Sequence, residues 1–285
     1  MIKCGIFSFI FEFEEAYDKE HDSKRISYKI TNTKLDKWAG NFLSGYTTQS
    51  FDWNVNFSDN LRVIDYYIRT RDTGPTYSQR LLINSNTKTI QTCIFAWNQT
   101  WYWSLLGHPL QSMIMPYVYA VDNTGILFHS CSIKIKENVY LFVGKSETGK
   151  STTSLLFDSY FNKREMLECI VINDEKNAYI IKSAEIYGAN GGGSAGFHSD
   201  ETGVLKGIFF LEQSSKCALA EINKTEAFLR LQQVIYLPFG IQKFMEQSAD
   251  ETLKLLDKIP AKIFKFTKSP DMPEWFIKNV VEAES

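Results

Sequence analysis

The chain has 285 residues, 44% of them apolar and 22% charged, and a formal charge of −2 at pH 7. That length and apolar share allow one large domain or two modest ones, with a core that needs no disulfide or metal staple. The near-neutral charge argues against counterion-driven nucleic-acid binding, and no apolar run approaches the ~20 residues of a spanning helix, so neither nucleic acid nor membrane is expected as a partner.

Five cysteines, Cys4, Cys93, Cys131, Cys169 and Cys217, lie far apart, with no Cys-x-x-Cys pair and no histidine at zinc-finger spacing. Reduced thiols in a cytoplasmic protein are the economical reading. The segment from Met1 to Phe7 lacks a small-residue cleavage site and runs into Glu12, Glu14 and Glu15, so it reads as a strand rather than a signal peptide. The sequons at Asn56, Asn98 and Asn223 are then chance matches.

Residues 1 to about 104 read as a β-rich N-terminal region with a substrate-recognition role. Gly5 to Phe13, Arg25 to Ile30, Leu61 to Arg69, Ser78 to Asn84 and Thr89 to Phe95 are rich in β-branched and aromatic residues and are separated by turn formers. Trp97, Trp101 and Trp103 close the region as an aromatic cluster that reads as core packing or as a substrate or partner surface. A helix is predicted from His108 to Val121, interrupted by Pro116. Two apolar runs, Gly125 to Ile135 and Val139 to Val143, flank Glu137-Asn138 and predict a hairpin. A helix follows from Lys150 to about Tyr160. Strands are expected at Cys169 to Ile172 and Ala178 to Ile181, on either side of the polar run Asn173 to Asn177. That polar run reads either as a hairpin turn or as a functional strand end. The glycine-rich stretch Gly188 to Phe197 reads as a loop that closes over substrate or as a plain linker. Gly207 to Leu211 and Lys262 to Phe266 are further strands; Thr225 to Val234, the region of Phe244, Asp250 to Leu256 and Pro273 to Glu282 are helices.

The segment Gly144-Lys145-Ser146-Glu147-Thr148-Gly149-Lys150-Ser151 matches G-x-x-x-x-G-K-S, the Walker A pattern, after an apolar strand and before a helix. In such a loop the glycines let backbone N–H groups face phosphate oxygens, and the following helix adds the positive end of its dipole. Residues Gly144 to Thr152 are therefore the expected nucleotide cradle, for ATP or another nucleoside triphosphate. Lys150 is placed to reach the terminal phosphates and Ser151 to ligate Mg2+. The loop also needs an acidic partner. Asp174 and Glu175, at the end of Ile170-Val171-Ile172, are placed to hold the metal, with Asp174 able to take a proton.

His129, the hairpin, the loop and the Asp174-Glu175 pair together resemble the HPr serine kinase/phosphorylase family and its phosphoenolpyruvate-carboxykinase-type relatives. The specific resemblance covers about Gly125 to Lys182 and weakens towards Leu237. It implies Asp174 as base on an acceptor serine, His129 as its helper and Glu175 as a metal-site residue. Glu185 to Gly188 echoes the family's downstream signature, which would put Glu185 near the metal. Glu147 stands where the family usually has glycine, Glu175 where it has a second aspartate, and Asn162 to Glu168 reads as an insertion.

The expected fold is α/β (α+β). A hairpin entering the loop favours a mixed sheet over an all-parallel one; the resemblance implies a carboxykinase-like core over residues 105–285. The expected activity is ATP- and Mg2+-dependent phosphorylation of a hydroxyl, foremost a serine of a protein or peptide. A small-molecule acceptor such as free serine, and a non-catalytic nucleotide-responsive binding protein, are the alternatives. Homo-oligomerisation stays open.

Overall fold

A computed structural model of the chain describes the strand backbones of residues 2–4, 7–18, 23–32, 54–58, 61–70, 74–84 and 89–96, and residues 124–189, 193–237 and 242–284. Contacts divide the chain into two units, Met1–Pro109 and Leu110–Ser285. The predicted helix from His108 to Val121 and the tryptophans Trp97, Trp101 and Trp103 lie outside the described residues.

In the first unit the β-branched and aromatic runs form β1 (Ile2–Cys4), β2 (Phe7–Asp18), β3 (Ser23–Asn32), β4 (Asn54–Ser58), β5 (Leu61–Thr70), β6 (Gly74–Asn84) and β7 (Thr89–Ala96). They make one sheet in the order β1-β2-β3-β7-β6-β5-β4. Every neighbouring pair is antiparallel. The two edges are its shortest strands, β1 and β4, a form that limits edge-to-edge pairing.

The second unit is a mixed α/β fold. Strands β8 (Gly125–Ile135) and β9 (Asn138–Val143) form the expected hairpin. Its turn is Lys136-Glu137 rather than Glu137-Asn138, because Ile135 pairs with Asn138 and Lys136 takes the left-handed backbone, φ 55°. Helix α1 (Lys150–Lys163) follows the loop, then β10 (Cys169–Asn173), β11 (Lys176–Ile180), β12 (Glu185–Gly188), β13 (Thr202–Gln213) and β14 (Ala218–Glu221). Helices α2 (Lys224–Gln232) and α3 (Gln242–Lys258), strand β15 (Ala261–Phe266) and helix α4 (Met272–Phe276) follow, and α4 runs on as a π-helix over Ile277–Val281 and a 3-10 turn over Glu282–Glu284. One helix, α3, covers the two separate stretches expected around Phe244 and Asp250. At the start of α2 the Asn223 side chain accepts the Glu226 N–H at 2.9 Å and caps the helix. Among the described residues no helix is long and apolar enough to cross a membrane.

The sheet is mixed: β13 runs parallel to both β9 and β15, and the other pairings are antiparallel. Pairings run from β8 to β9, β13, β12, β11 and back to β8.

From Val139 to Val143 strand β9 is apolar, and both its faces are covered. Val139, Leu141 and Val143 enter a core with Ile208, Phe210 and Leu231, while Tyr140 and Phe142 enter a second with Phe157, Phe209, Phe264 and Phe276. Phe276 is fully buried. Its ring centroid lies 4.9 Å from Phe209, 5.1 Å from Phe142, 5.3 Å from Phe264 and 5.6 Å from Phe157. It therefore joins α1 and α4 to the sheet just below the Gly144–Ser151 loop. Phe276→Ala is expected to lower stability by about 3–5 kcal/mol in urea unfolding.

Candidate active site

Strands β9, β13 and β15 share one direction, so Val143, Gln213 and Phe266 end at one edge of the sheet. The crevice beyond the carboxyl ends of parallel strands is the usual ligand position in α/β sheets. Here it holds a pocket of about 460 Å³, within the range of small-ligand sites.

The Gly144–Ser151 loop forms one wall. Gly149 has φ 111°, and a Cβ there would stand 2.5 Å from the Phe266 ring, so backbone and packing both demand glycine. It caps α1 without a side-chain bond, and the first helical turn has no acidic residue. The first-turn N–H groups have no partner within the helix, and Lys150, Ser151 and Thr152 line the pocket beside them. Lys150 turns back on the loop: Nζ donates to the carbonyls of Gly144 at 2.8 Å and Lys145 at 2.9 Å. Burial lowers its pKa. Thr148 Oγ1 also donates to the Lys145 carbonyl, at 2.8 Å. Ser146 and Glu147 line the pocket, whereas Gly144, Lys145 and Thr148 are not among its lining residues.

Glu147 has φ 67°, a left-handed backbone that glycine adopts without steric cost. This is the position where the resembled family usually carries glycine.

The opposite wall corrects the hairpin-turn reading of Asn173 to Asn177. Strands β10 and β11 do not pair with each other; each pairs antiparallel with β8, Asn173 opposite Ser132 and Lys176 opposite His129. Asp174 and Glu175 thus interrupt one long run of pairing, next to a register shift between Val171 and Asn173. Asn173 holds the interruption: its Oδ1 accepts the N–H groups of Glu175 and Lys176, both at 2.8 Å, and its Nδ2 donates to the Ala189 carbonyl at 2.8 Å. Beneath it Asn177 Nδ2 donates to the Ser130 carbonyl at 2.7 Å, and Ser132 Oγ donates to Asn177 Oδ1 at 2.5 Å. Asp174 is only 1% exposed, although it stands in a polar run. Its carboxylate accepts backbone N–H bonds from Gly193, Ala195 and Phe197.

His129 lines the same pocket from β8. Its Nδ1 lies 3.2 Å from the Tyr236 hydroxyl. Burial, then the nearby Lys150 and Lys176 charges, lower its pKa to about 4, partly opposed by a hydrogen bond to the Glu175 backbone. The ring is therefore neutral at pH 7. Tyr236 is pushed far above the usual phenol range by burial, then by Glu175, and keeps its proton.

One pocket thus brings together His129, Ser146, Glu147, Gly149, Lys150, Ser151, Thr152, Asp174 and Glu175. Glu185 lies elsewhere: it pairs with Ile180 at the far end of β12 and accepts the Tyr187 hydroxyl at 3.2 Å, while Gly188 approaches Asn173. Sequence reasoning missed Gln213 and Lys268 on the rim, Ser194 in the glycine-rich segment, and the roles of Asn173 and Tyr236. Gln213 and Lys268 carried one readable signal, as polar residues at or just past the ends of apolar strands. Among the described residues no three His, Cys, Asp or Glu side chains gather as a metal cluster. No protein-family model matches the chain, and a search of curated proteins finds no significant match.

Relief of the left-handed backbone is worth about 1–2 kcal/mol, offset by about 0.5–1 kcal/mol for the greater freedom of unfolded glycine. Glu147→Gly is therefore expected to raise the melting temperature slightly. For His129, the unfolded chain takes up a proton near 6.5 and the folded one only near 4. Its neutral form contributes stability that is complete above pH 6.5 and lost as the pH falls towards 4. His129→Gln should flatten that part of the melting profile between pH 6.5 and 4, measured by thermal unfolding of both proteins.

Proposed function

We propose that the chain is a nucleoside-triphosphate-dependent phosphotransferase of the HPr-kinase-like, phosphoenolpyruvate-carboxykinase type. It transfers the γ-phosphoryl group of ATP, or of a related triphosphate, to a hydroxyl, foremost a serine of a protein or peptide. The observation that carries this reading is the meeting, in one pocket, of the Gly144–Ser151 loop, the open start of α1 and the buried Asp174. A helix start and a loop of backbone amides suit phosphate oxygens, and a carboxylate opposite them suits proton removal from an acceptor. The β-rich first unit would recognise the acceptor.

In this mechanism Lys150 leaves the Gly144 and Lys145 carbonyls for the phosphates, where its charge and the loop amides stabilise the transferring group. The Ser151 hydroxyl and the Glu175 and Asp174 carboxylates line the same pocket. These hard oxygen donors suit Mg2+, which binds one or two carboxylates together with substrate phosphates. Bound there, the metal would neutralise charge on the phosphate oxygens. Asp174 accepts the proton of the attacking hydroxyl. Neutral His129 adds no positive charge that would compete with Lys150, and it steadies the wall through Tyr236 and the Glu175 backbone.

A second reading, a nucleotide-responsive binding protein without turnover, draws on one observation: Asp174 and Ser151 already have partners in the glycine-rich loop. Transfer of labelled γ-phosphate to serine peptides separates the two. Asp174→Asn should cut the rate by about 10²–10⁴-fold with nucleotide affinity kept, and Lys150→Ala by about 10²–10³-fold. Equal turnover in wild type and both variants contradicts the phosphotransferase reading, and nucleotide binding with no turnover in wild type supports the second.

A further inference from the structure

Asp174 and Ser151, two of the groups that the proposed transfer uses, are both held by one short segment, Gly193 to Phe197. The Gly193 N–H donates to Asp174 Oδ1 at 2.7 Å, the Ala195 N–H to Oδ2 at 2.8 Å and the Phe197 N–H to Oδ1 at 3.1 Å. Ser194 lies between the first two donors, and its hydroxyl is 2.8 Å from that of Ser151, donating to it. Gly193 permits the approach, since a Cβ there would fall 2.8 Å from Asp174 Oδ2 and 3.0 Å from Glu175 Cβ. Ser194 is itself exposed at the pocket mouth.

An acceptor serine meets the same demands. Its hydroxyl must reach the end of the triphosphate beside the first turn of α1, and a carboxylate must stand close by to take its proton. Ser194 has a hydroxyl on Ser151 and backbone amides clasped to Asp174 on either side. A plain linker would have no need of this geometry; a segment lying in the acceptor's place has it.

Resting on the phosphotransferase reading above, we propose that Ser194 is an internal acceptor, phosphorylated in cis by the nucleoside triphosphate bound at the Gly144–Ser151 loop. The Ser194 Oγ attacks the γ-phosphorus. A new O–P bond forms as the bond from that phosphorus to the β,γ-bridging oxygen breaks. The nucleoside diphosphate leaves with that electron pair, and the Ser194 proton passes to Asp174. The product carries about −1.5 to −2 charges beside Glu147, Asp174 and Glu175. Like-charge repulsion then drives the segment off Asp174, so the same step that modifies Ser194 frees the base and clears the place of an external acceptor.

The test uses the full chain with ATP and Mg2+ and no added acceptor, followed by mass-spectrometric mapping, with nucleotide binding measured separately by a fluorescent ATP analogue. One phosphoryl group is expected on the peptide containing Ser194, at a rate constant that does not change on dilution of the protein. Ser194→Ala should lose this label, Ser194→Thr should keep it at a lower rate, and Asp174→Asn should lose it while still binding nucleotide. Three results overturn the proposal alone: in a parallel reaction with an added serine peptide, phosphorylation of that peptide with Ser194 unlabelled; label confined to another residue; or a labelling rate constant that rises with protein concentration. Bound nucleotide with neither Ser194 nor the peptide labelled overturns it together with the phosphotransferase reading. Failure to bind nucleotide overturns it together with the phosphotransferase reading.

Discussion

Strand β9 lies between β8, which returns antiparallel beside it, and β13, which runs parallel, and both its faces are buried. Val139, Leu141 and Val143 belong to one core, and Tyr140 and Phe142 to the other. Neither face can move without opening a cavity in close-packed side chains. The chain therefore leaves the sheet at Gly144 from a fixed point and in a fixed direction. Everything at the pocket is referred to that point: α1 is fastened to β9 through Phe157 and Phe142, whose rings lie 5.5 Å apart, and Gly149 is seated against Phe266 of β15.

The acidic wall depends on a different constraint. A carboxylate that is 1% exposed has to be matched by donors. Asn173 sets the backbone so that Asp174 leaves the line of the strand, and the amides of Gly193, Ala195 and Phe197 supply the donors. Beneath them Ser130, Ser132 and Asn177 satisfy one another inside the sheet. Such a network fixes the interruption between β10 and β11 at one place along β8. The same amides that satisfy Asp174 also close it off, which ties the chemistry of the pocket to the position of the glycine-rich segment.

Much of this was legible in the sequence, and the boundary has a physical cause. The β8–β9 hairpin and β15 follow from local apolar pattern and α1 from its place after the Gly144–Ser151 pattern, which falls at the strand–helix junction where its glycines are required. The run Asn173 to Asn177 was ambiguous because a hairpin turn and a strand interruption have the same polar composition; only pairing of both flanks with β8 tells them apart. Helix α3 reads as two stretches because the polar run Glu246 to Ser248 separates their apolar residues, whereas one continuous helix buries both Phe244 and Leu255. Tyr236 meets His129, and Ser194 meets Ser151, only through the fold. Glu147 was visible as a departure from the resembled family, and its left-handed backbone explains why glycine suits the position.

The most direct test of the central claim is a crystal structure with Mg2+ and a non-hydrolysable ATP analogue. The predicted result is a triphosphate lying along the loop amides at the start of α1, with Lys150 Nζ moved from the Gly144 and Lys145 carbonyls to a phosphate oxygen and the terminal phosphate facing Asp174. A structure in which the analogue binds elsewhere, or in which Lys150 stays on those carbonyls with the pocket empty, would contradict it.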